Sequence, residues 1–120
     1  MTRKALIVDD SASMRSVVSH CLVSLGIEVD EASGGRGGLE KARNKQYDIV
    51  VTDQNMPGMD GVELVKNLRK IPLYAKTPII VLTTESSTEM KLEFKQAGAN
   101  GWMGKPFTAE RMSAAIAKLL

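Results

Sequence analysis

Five side chains, at four well-separated points of the chain, are of types that could act together: Asp9, Asp10, Asp53, Thr83 and Lys105. Three carboxylates held close repel one another, so a cation or a proton must join them. Oxygen-only ligands favour a hard ion such as Mg²⁺, which takes one or two carboxylates and keeps several waters. Zinc is disfavoured, because neither histidine nor cysteine belongs to the set. A divalent metal, an ammonium and a hydroxyl together suit the oxygens of a phosphoryl group. Asp53, followed by the turn Met56-Pro57-Gly58 and then Asp60-Gly61, is the natural nucleophile and would form an acyl phosphate. Two blander readings compete. Asp53 alone could simply end a strand or cap a loop, and Lys105 could simply pair with an aspartate.

The elements that must position these residues favour the joint reading. Ala5-Leu6-Ile7-Val8 and Ile49-Val50-Val51 are short apolar, largely β-branched runs that end in acid, at Asp9-Asp10 and near Asp53. Such runs read as strands buried on both faces. Pro78-Ile79-Ile80-Val81-Leu82 is a third and ends at Thr83. Asn100 to Gly104 is a short strand ending before Lys105-Pro106. Ile27 to Ala32 alternates apolar and polar residues, as an edge strand does.

Helices are expected between the strands. Ser11 or Ser13 caps the first, with Met14, Val17, Val18, Cys21, Leu22 and Leu25 on its inner stripe and Gly26 as its stop. His20 and Cys21 are adjacent, but packing for Cys21 and surface for His20 outweigh any metal role. Gly34, Gly35, Gly37 and Gly38 read as a weakened first turn of the second helix. No dinucleotide-type glycine pattern fits them. Val62, Val65 and Leu68 mark the third helix, which ends before Pro72. Ser86 with Glu89 forms a capping box for the fourth, carrying Met90, Phe94 and Ala97 and ending at Gly98. Thr108 caps the last, with Met112, Ile116 and Leu119 inward.

Five strands alternating with helices predict an α/β fold, a doubly wound parallel sheet with helices on both faces. In such a sheet the carboxyl ends of all strands share one edge, where ligands bind. Asp9-Asp10, Asp53, Thr83 and Lys105 each follow a strand and therefore converge there.

Bulk properties limit the alternatives. The 120 residues make one domain, with 43% apolar and 25% charged residues, an ordinary globular balance. The net charge of +2 with scattered basic residues gives no case for nucleic acid. No apolar run reaches membrane-spanning length, and nothing at the start resembles a signal peptide. The single cysteine permits no internal disulfide and fits a cytoplasmic setting.

The chain resembles the receiver domains of bacterial two-component response regulators, most of all the single-domain chemotaxis regulators of the CheY type. The resemblance spans essentially residues 1–120. It rests on Asp9-Asp10; on Asp53 followed by Asn55-Met56-Pro57-Gly58-Met59-Asp60-Gly61; on Thr83; and on Ala97-Gly98-Ala99-Asn100-Gly101 leading to Lys105-Pro106-Phe107-Thr108. It implies a flavodoxin-like, five-stranded sheet of order 2-1-3-4-5. It implies that Asp53 accepts phosphate from a phosphohistidine on a histidine kinase (of the CheA type). Asp9, Asp10, Asp53 and the main-chain carbonyl of Asn55 would hold Mg²⁺. Thr83 and Lys105 would bind phosphoryl oxygens. Thr83 and Trp102 would form the switch, Trp102 standing where the family usually carries tyrosine or phenylalanine. The implied role is signalling by protein contact and not enzymatic turnover of a substrate, although the domain promotes its own phosphorylation and dephosphorylation. The expected target is a flagellar motor switch protein (of the FliM type), with a phosphatase as a further partner and a monomeric state. A phosphorelay intermediate, or a receiver excised from a larger regulator, is the alternative output. The resemblance and the turn after strand five also predict a cis Lys105-Pro106 bond.

Two enzyme readings fail on particular residues. A dehalogenase-type phosphatase needs an aspartate two residues after the nucleophile, and Asn55 stands there. A phosphate-binding P-loop needs Ser or Thr after Gly-Lys, and Pro106 follows Lys105.

Overall fold

The computed structural model describes residues 2–85 and 87–120. Five strands, β1 (Lys4–Val8), β2 (Glu28–Ala32), β3 (Ile49–Asp53), β4 (Ile79–Thr83) and β5 (Gly101–Gly104), alternate with five helices. The helices are α1 (Ala12–Ser24), α2 (Gly35–Asn44), α3 (Gly61–Arg69), α4 (Thr88–Ala97) and α5 (Ala109–Leu119). All strand pairings are parallel, in the order β2-β1-β3-β4-β5. Every residue of β3 and β4 is buried, whereas the edge strands β2 and β5 are partly exposed. That is the burial a parallel sheet covered on both faces requires.

Side-chain parity sorts the core into two halves. Leu6, Val8, Val50, Ile79 and Val81 point to the face covered by α2, α3 and α4. Ala5, Ile7, Ile49, Val51, Ile80, Leu82 and Met103 point to the face covered by α1 and α5. Alternate residues of one strand thus serve different layers, as the pleat dictates.

The helix boundaries follow their caps. The hydroxyls of Ser11 and Thr108 accept from Met14 and Arg111 amides, and the carboxylate of Asp60 accepts from Glu63. Ser86, the expected cap of α4, lies outside the described residues; the cap is Ser87, whose hydroxyl accepts from the Met90 amide. Lys105–Pro106 is cis, as expected. β2 starts one residue later than its alternation suggested, and β5 starts at Gly101.

Two residues of the expected α1 stripe are misplaced. Val17 and Leu25 are exposed, because only Val18, Cys21 and Leu22 lie deep enough on the α1 contact with the sheet and α5. His20 is exposed and Cys21 buried, as expected. Leu119 is half-buried against the core, beside the fully buried Met112 and Ile116.

The glycine cluster has a second purpose that helix propensity alone does not show. A Cβ on Gly38 would stand 2.7 Å from Val8 Cγ2, so this glycine lets α2 lie directly on β1. At Gly37 the nearest atom would be Ala32 Cβ, at an ordinary 3.8 Å. The two adjacent glycines should therefore answer alanine with opposite signs. Gly37→Ala should stabilise by up to about 1 kcal/mol through helix propensity. Gly38→Ala should destabilise by about 1–3 kcal/mol through overpacking. Denaturant unfolding of the two variants checks the pair.

Candidate functional site at the carboxyl edge

Parity explains why the acidic and basic groups meet. Asp9 extends the Ala5, Ile7 series, Asp53 the Ile49, Val51 series, and Lys105 the Met103 series, all on the α1/α5 face. One carboxylate oxygen from each of Asp9, Asp10 and Asp53 lies within 4.8 Å of the others. Lys105 Nζ donates to Asp53 Oδ1 at 2.8 Å and lies 3.8 Å from Asp9 Oδ2. Asp9 and Asp53 are buried, while Asp10 is exposed. Three carboxylates therefore face one ammonium.

Asp9 is held from several sides. Its amide donates to Ala32 O at 3.1 Å. Its Oδ1 accepts the Ser11 amide at 2.9 Å. Its Oδ2 is buried with no hydrogen-bond partner among the described residues. Burial pushes the Asp9 carboxyl above its ordinary value; the Ser11 amide pulls it back, and the Asp53 charge pushes it up again. An orphaned, buried carboxylate oxygen costs free energy unless a cation or proton reaches it. The donor set is all oxygen, and Asp10 leaves the cluster open to water. The residues thus fit a hard divalent cation.

Behind the cluster the start of α3 folds back on the end of β3. Gly61 N donates to Gln54 O at 3.0 Å, and Val62 N to Gln54 Oε1 at 2.9 Å. A Cβ on Gly61 would meet Asp53 O at 2.6 Å, so only glycine permits this approach. Asn55 is exposed in the loop directly after β3.

Residues 5–117 match the response regulator receiver domain family. The chain belongs to that family. It is 40% identical to the chemotaxis protein CheY-3 of Vibrio cholerae over 117 residues, covering 97% of this chain and 90% of that protein. It is 37% identical to the chemotaxis protein CheY of Pseudomonas aeruginosa, covering 97% and 94%. The crystal structure of CheY4 of Vibrio cholerae superposes with a TM-score of 0.95 at 45% identity, over all of both chains. The chain is thus a receiver domain of a two-component response regulator, a signalling module similar along nearly its whole length to chemotaxis proteins. No helix among the described residues is long and apolar enough to cross a membrane.

In this receiver domain Thr83 ends β4 and lies in register with Gly104, while Lys105 N donates to Thr83 O at 2.8 Å. The Thr83 hydroxyl accepts the Glu85 amide at 3.0 Å. By parity Thr83 follows Ile79 and Val81 on the α4 side, away from the acidic face. Trp102 pairs with Val81, so it shares that side. It is 38% exposed, and its ring centroid lies 6.2 Å from that of buried Phe94 on α4. Thus Asp9, Asp10, Asp53 and Lys105 form one cluster. Thr83 flanks it on the neighbouring strand end, and Trp102 lies two residues below Thr83's level.

Arg15 was not singled out from the sequence. Its Nη1 donates to Asp9 O at 2.6 Å and its Nε pairs with Glu31 at 3.0 Å. One signal was available: an arginine early in a helix opposes the helix dipole, so something nearby must compensate it.

Removing the orphaned charge should separate stability from metal binding. In EDTA at neutral pH, Asp9→Asn should raise the unfolding free energy by about 1 kcal/mol or more, a few degrees in melting temperature. The Asp9 pKa is raised in the folded state above its unfolded value of about 3.9. Its ionisation therefore destabilises the fold at neutral pH, and this penalty disappears as pH falls through the raised value. The advantage of Asp9→Asn should shrink over the same range. Its Mg²⁺ affinity, measured by calorimetry, should fall about tenfold or more with the lost charge.

Proposed function

We propose that this receiver domain takes a phosphoryl group onto Asp53 from a phosphohistidine of a CheA-type histidine kinase and signals by protein contact. The observation that carries this is the placing of buried Asp53 at the end of the central strand, bonded to Lys105 and within the carboxylate cluster. An Asp53 oxygen attacks phosphorus, the phosphorus–nitrogen bond breaks, and its electron pair stays on the imidazole nitrogen. Lys105, now paired with Asp53, turns to a phosphoryl oxygen. The Thr83 hydroxyl, whose oxygen accepts the Glu85 amide, donates its hydrogen to another. Asp9, Asp10, Asp53 and the Asn55 carbonyl are the proposed Mg²⁺ ligands. Bound Mg²⁺ supplies positive charge that offsets the carboxylates and the phosphoryl oxygens. The acyl phosphate is later hydrolysed by water, with or without a phosphatase.

Chemotaxis is the proposed output, through a FliM-type motor switch protein in the cytoplasm, with the domain acting as a monomer. The names of relatives at 37–45% identity support it. Leu92 and Trp102, both exposed on the α4–β5 side, supply apolar contact area for such a partner. Inward movement of Trp102 after Thr83 turns would reshape that side, as a shift between two populated states.

Incubation with acetyl phosphate and Mg²⁺ should add one phosphoryl group to the wild type by intact mass. EDTA should block it, and Asp53→Asn should take up none. Undiminished labelling of Asp53→Asn would overturn the proposal.

The switch has its own readout, because Trp102 is the only tryptophan. Acrylamide quenching should fall when Mg²⁺ and beryllofluoride are added, and Thr83→Ala should abolish the fall. Equal quenching in both states of the wild type would show that the indole does not move.

A further inference from the structure

The helix α4 is held unevenly along its length. Its buried residues, Phe94 and Ala97, both lie in its C-terminal half. In the first half Met90 and Lys91 are only half-buried, and Thr88, Glu89 and Leu92 are exposed. That loosely held half is the one nearer Thr83 in the chain.

The far end is fastened by a single guanidinium. Gly98 closes the helix with φ 108°, and Ala99 N donates to Phe94 O at 3.0 Å. The Gly98 carbonyl accepts from Arg69 Nε at 3.0 Å and from Nη2 at 2.8 Å. Nη2 also donates to Asn100 Oδ1 at 2.9 Å, and the same oxygen accepts the Ile79 amide at 2.9 Å. Nη1 donates to Tyr74 O at 2.5 Å and Thr77 O at 2.7 Å. Arg69 therefore ties the end of α3, the 3-10 turn Pro72–Tyr74, the approach to β4 and the α4–β5 loop at one point.

All these acceptors are uncharged, and no carboxylate pairs with Arg69 among the described residues. An arginine placed for surface charge would not be arranged so. The planar fork with its several fixed donors is what the geometry uses, and a lysine cannot reproduce it. Its positive charge also suits the negative end of the α4 dipole.

We propose that Arg69 is a positioning residue that pins the C-terminal end of α4. Events at Thr83 then move the N-terminal half of α4 about a fixed Phe94–Gly98 end. The trigger rests on the phosphoryl reading of Asp53; the pin does not, because it is present in the unmodified protein.

Residue-resolved amide exchange tests both parts. In the unmodified wild type, amides of Lys91–Glu93 should exchange about tenfold or more faster than those of Lys95–Gly98. Mg²⁺ with beryllofluoride should alter the first group and leave the second unchanged. Arg69→Lys keeps the charge but loses the fork. It should raise exchange in Lys95–Gly98 to the level of the first half, leave β1 and β3 unchanged, and let beryllofluoride alter both halves. Labelling by acetyl phosphate should stay within about twofold of wild type, since Arg69 does not belong to the acidic cluster. Arg69→Met should act in the same direction, and if it fails to fold the lysine variant alone decides. Uniform exchange along wild-type α4 would overturn the proposal. So would an Arg69→Lys effect spread equally over the core strands, or none at Lys95–Gly98. If the halves differ and Arg69→Lys levels them, but beryllofluoride changes nothing in wild type, the pin stands and the phosphoryl trigger falls.

Discussion

One ammonium holds the acidic edge together. Lys105 Nζ lies 2.8 Å from Asp53 and 3.8 Å from Asp9, both buried carboxylates that would otherwise repel across a short distance. At these separations the Coulomb attraction of unit charges, before the cost of desolvation, is about 4–6 kcal/mol even at an effective dielectric constant near 20. The ammonium is still one charge short of the carboxylates it faces in the buried pair, and Asp10 adds a third. Asp9 Oδ2 has no hydrogen bond among the described residues, so the edge is left electrostatically incomplete. An arrangement of this kind lowers its own stability and leaves a charge deficit that a cation could fill.

The sheet separates the acidic cluster from the α4 layer by parity. Asp9, Asp53 and Lys105 continue the residue series that faces α1 and α5, whereas Thr83 continues the series that faces α4. Adjacent strand ends thus deliver their side chains to opposite layers. Trp102, in register with Val81, belongs to the α4 layer and touches it through Phe94. Gly61 over Asp53 and Gly38 over Val8 hold α3 and α2 close against the strands.

The strand runs, their order of polarity and the residues at their ends were legible in the sequence. Ala5–Val8, Ile49–Val51 and Ile79–Leu82 are apolar on both parities, which only a sheet covered on both faces explains. That fold class alone sends Asp9, Asp53, Thr83 and Lys105 to one edge, so most of the cluster could be named without coordinates. Local caps were legible too, where serine or threonine preceded a helix. Ser11 and Thr108 bear this out.

Other features depend on surfaces that the chain cannot specify locally. Val17 has helical spacing appropriate to a core residue yet is exposed, because the width of the α1 contact depends on where α5 and the sheet come to rest. Gly38 reads as a helix weakness until Val8 is seen 30 residues away in sequence, beneath it. Arg15 gives little local sign that it will reach the Asp9 carbonyl, and Arg69 gives none that its guanidinium will gather carbonyls from three segments. The sequence by itself determined which residues end each strand, and hence which chemistry is available, because hydrophobic periodicity is local. Only the tertiary structure decided which of those residues share a face, which carboxylate oxygen lacks a partner and what anchors α4. These are set by register, burial and long-range hydrogen bonds, and they exist only once the layers have packed.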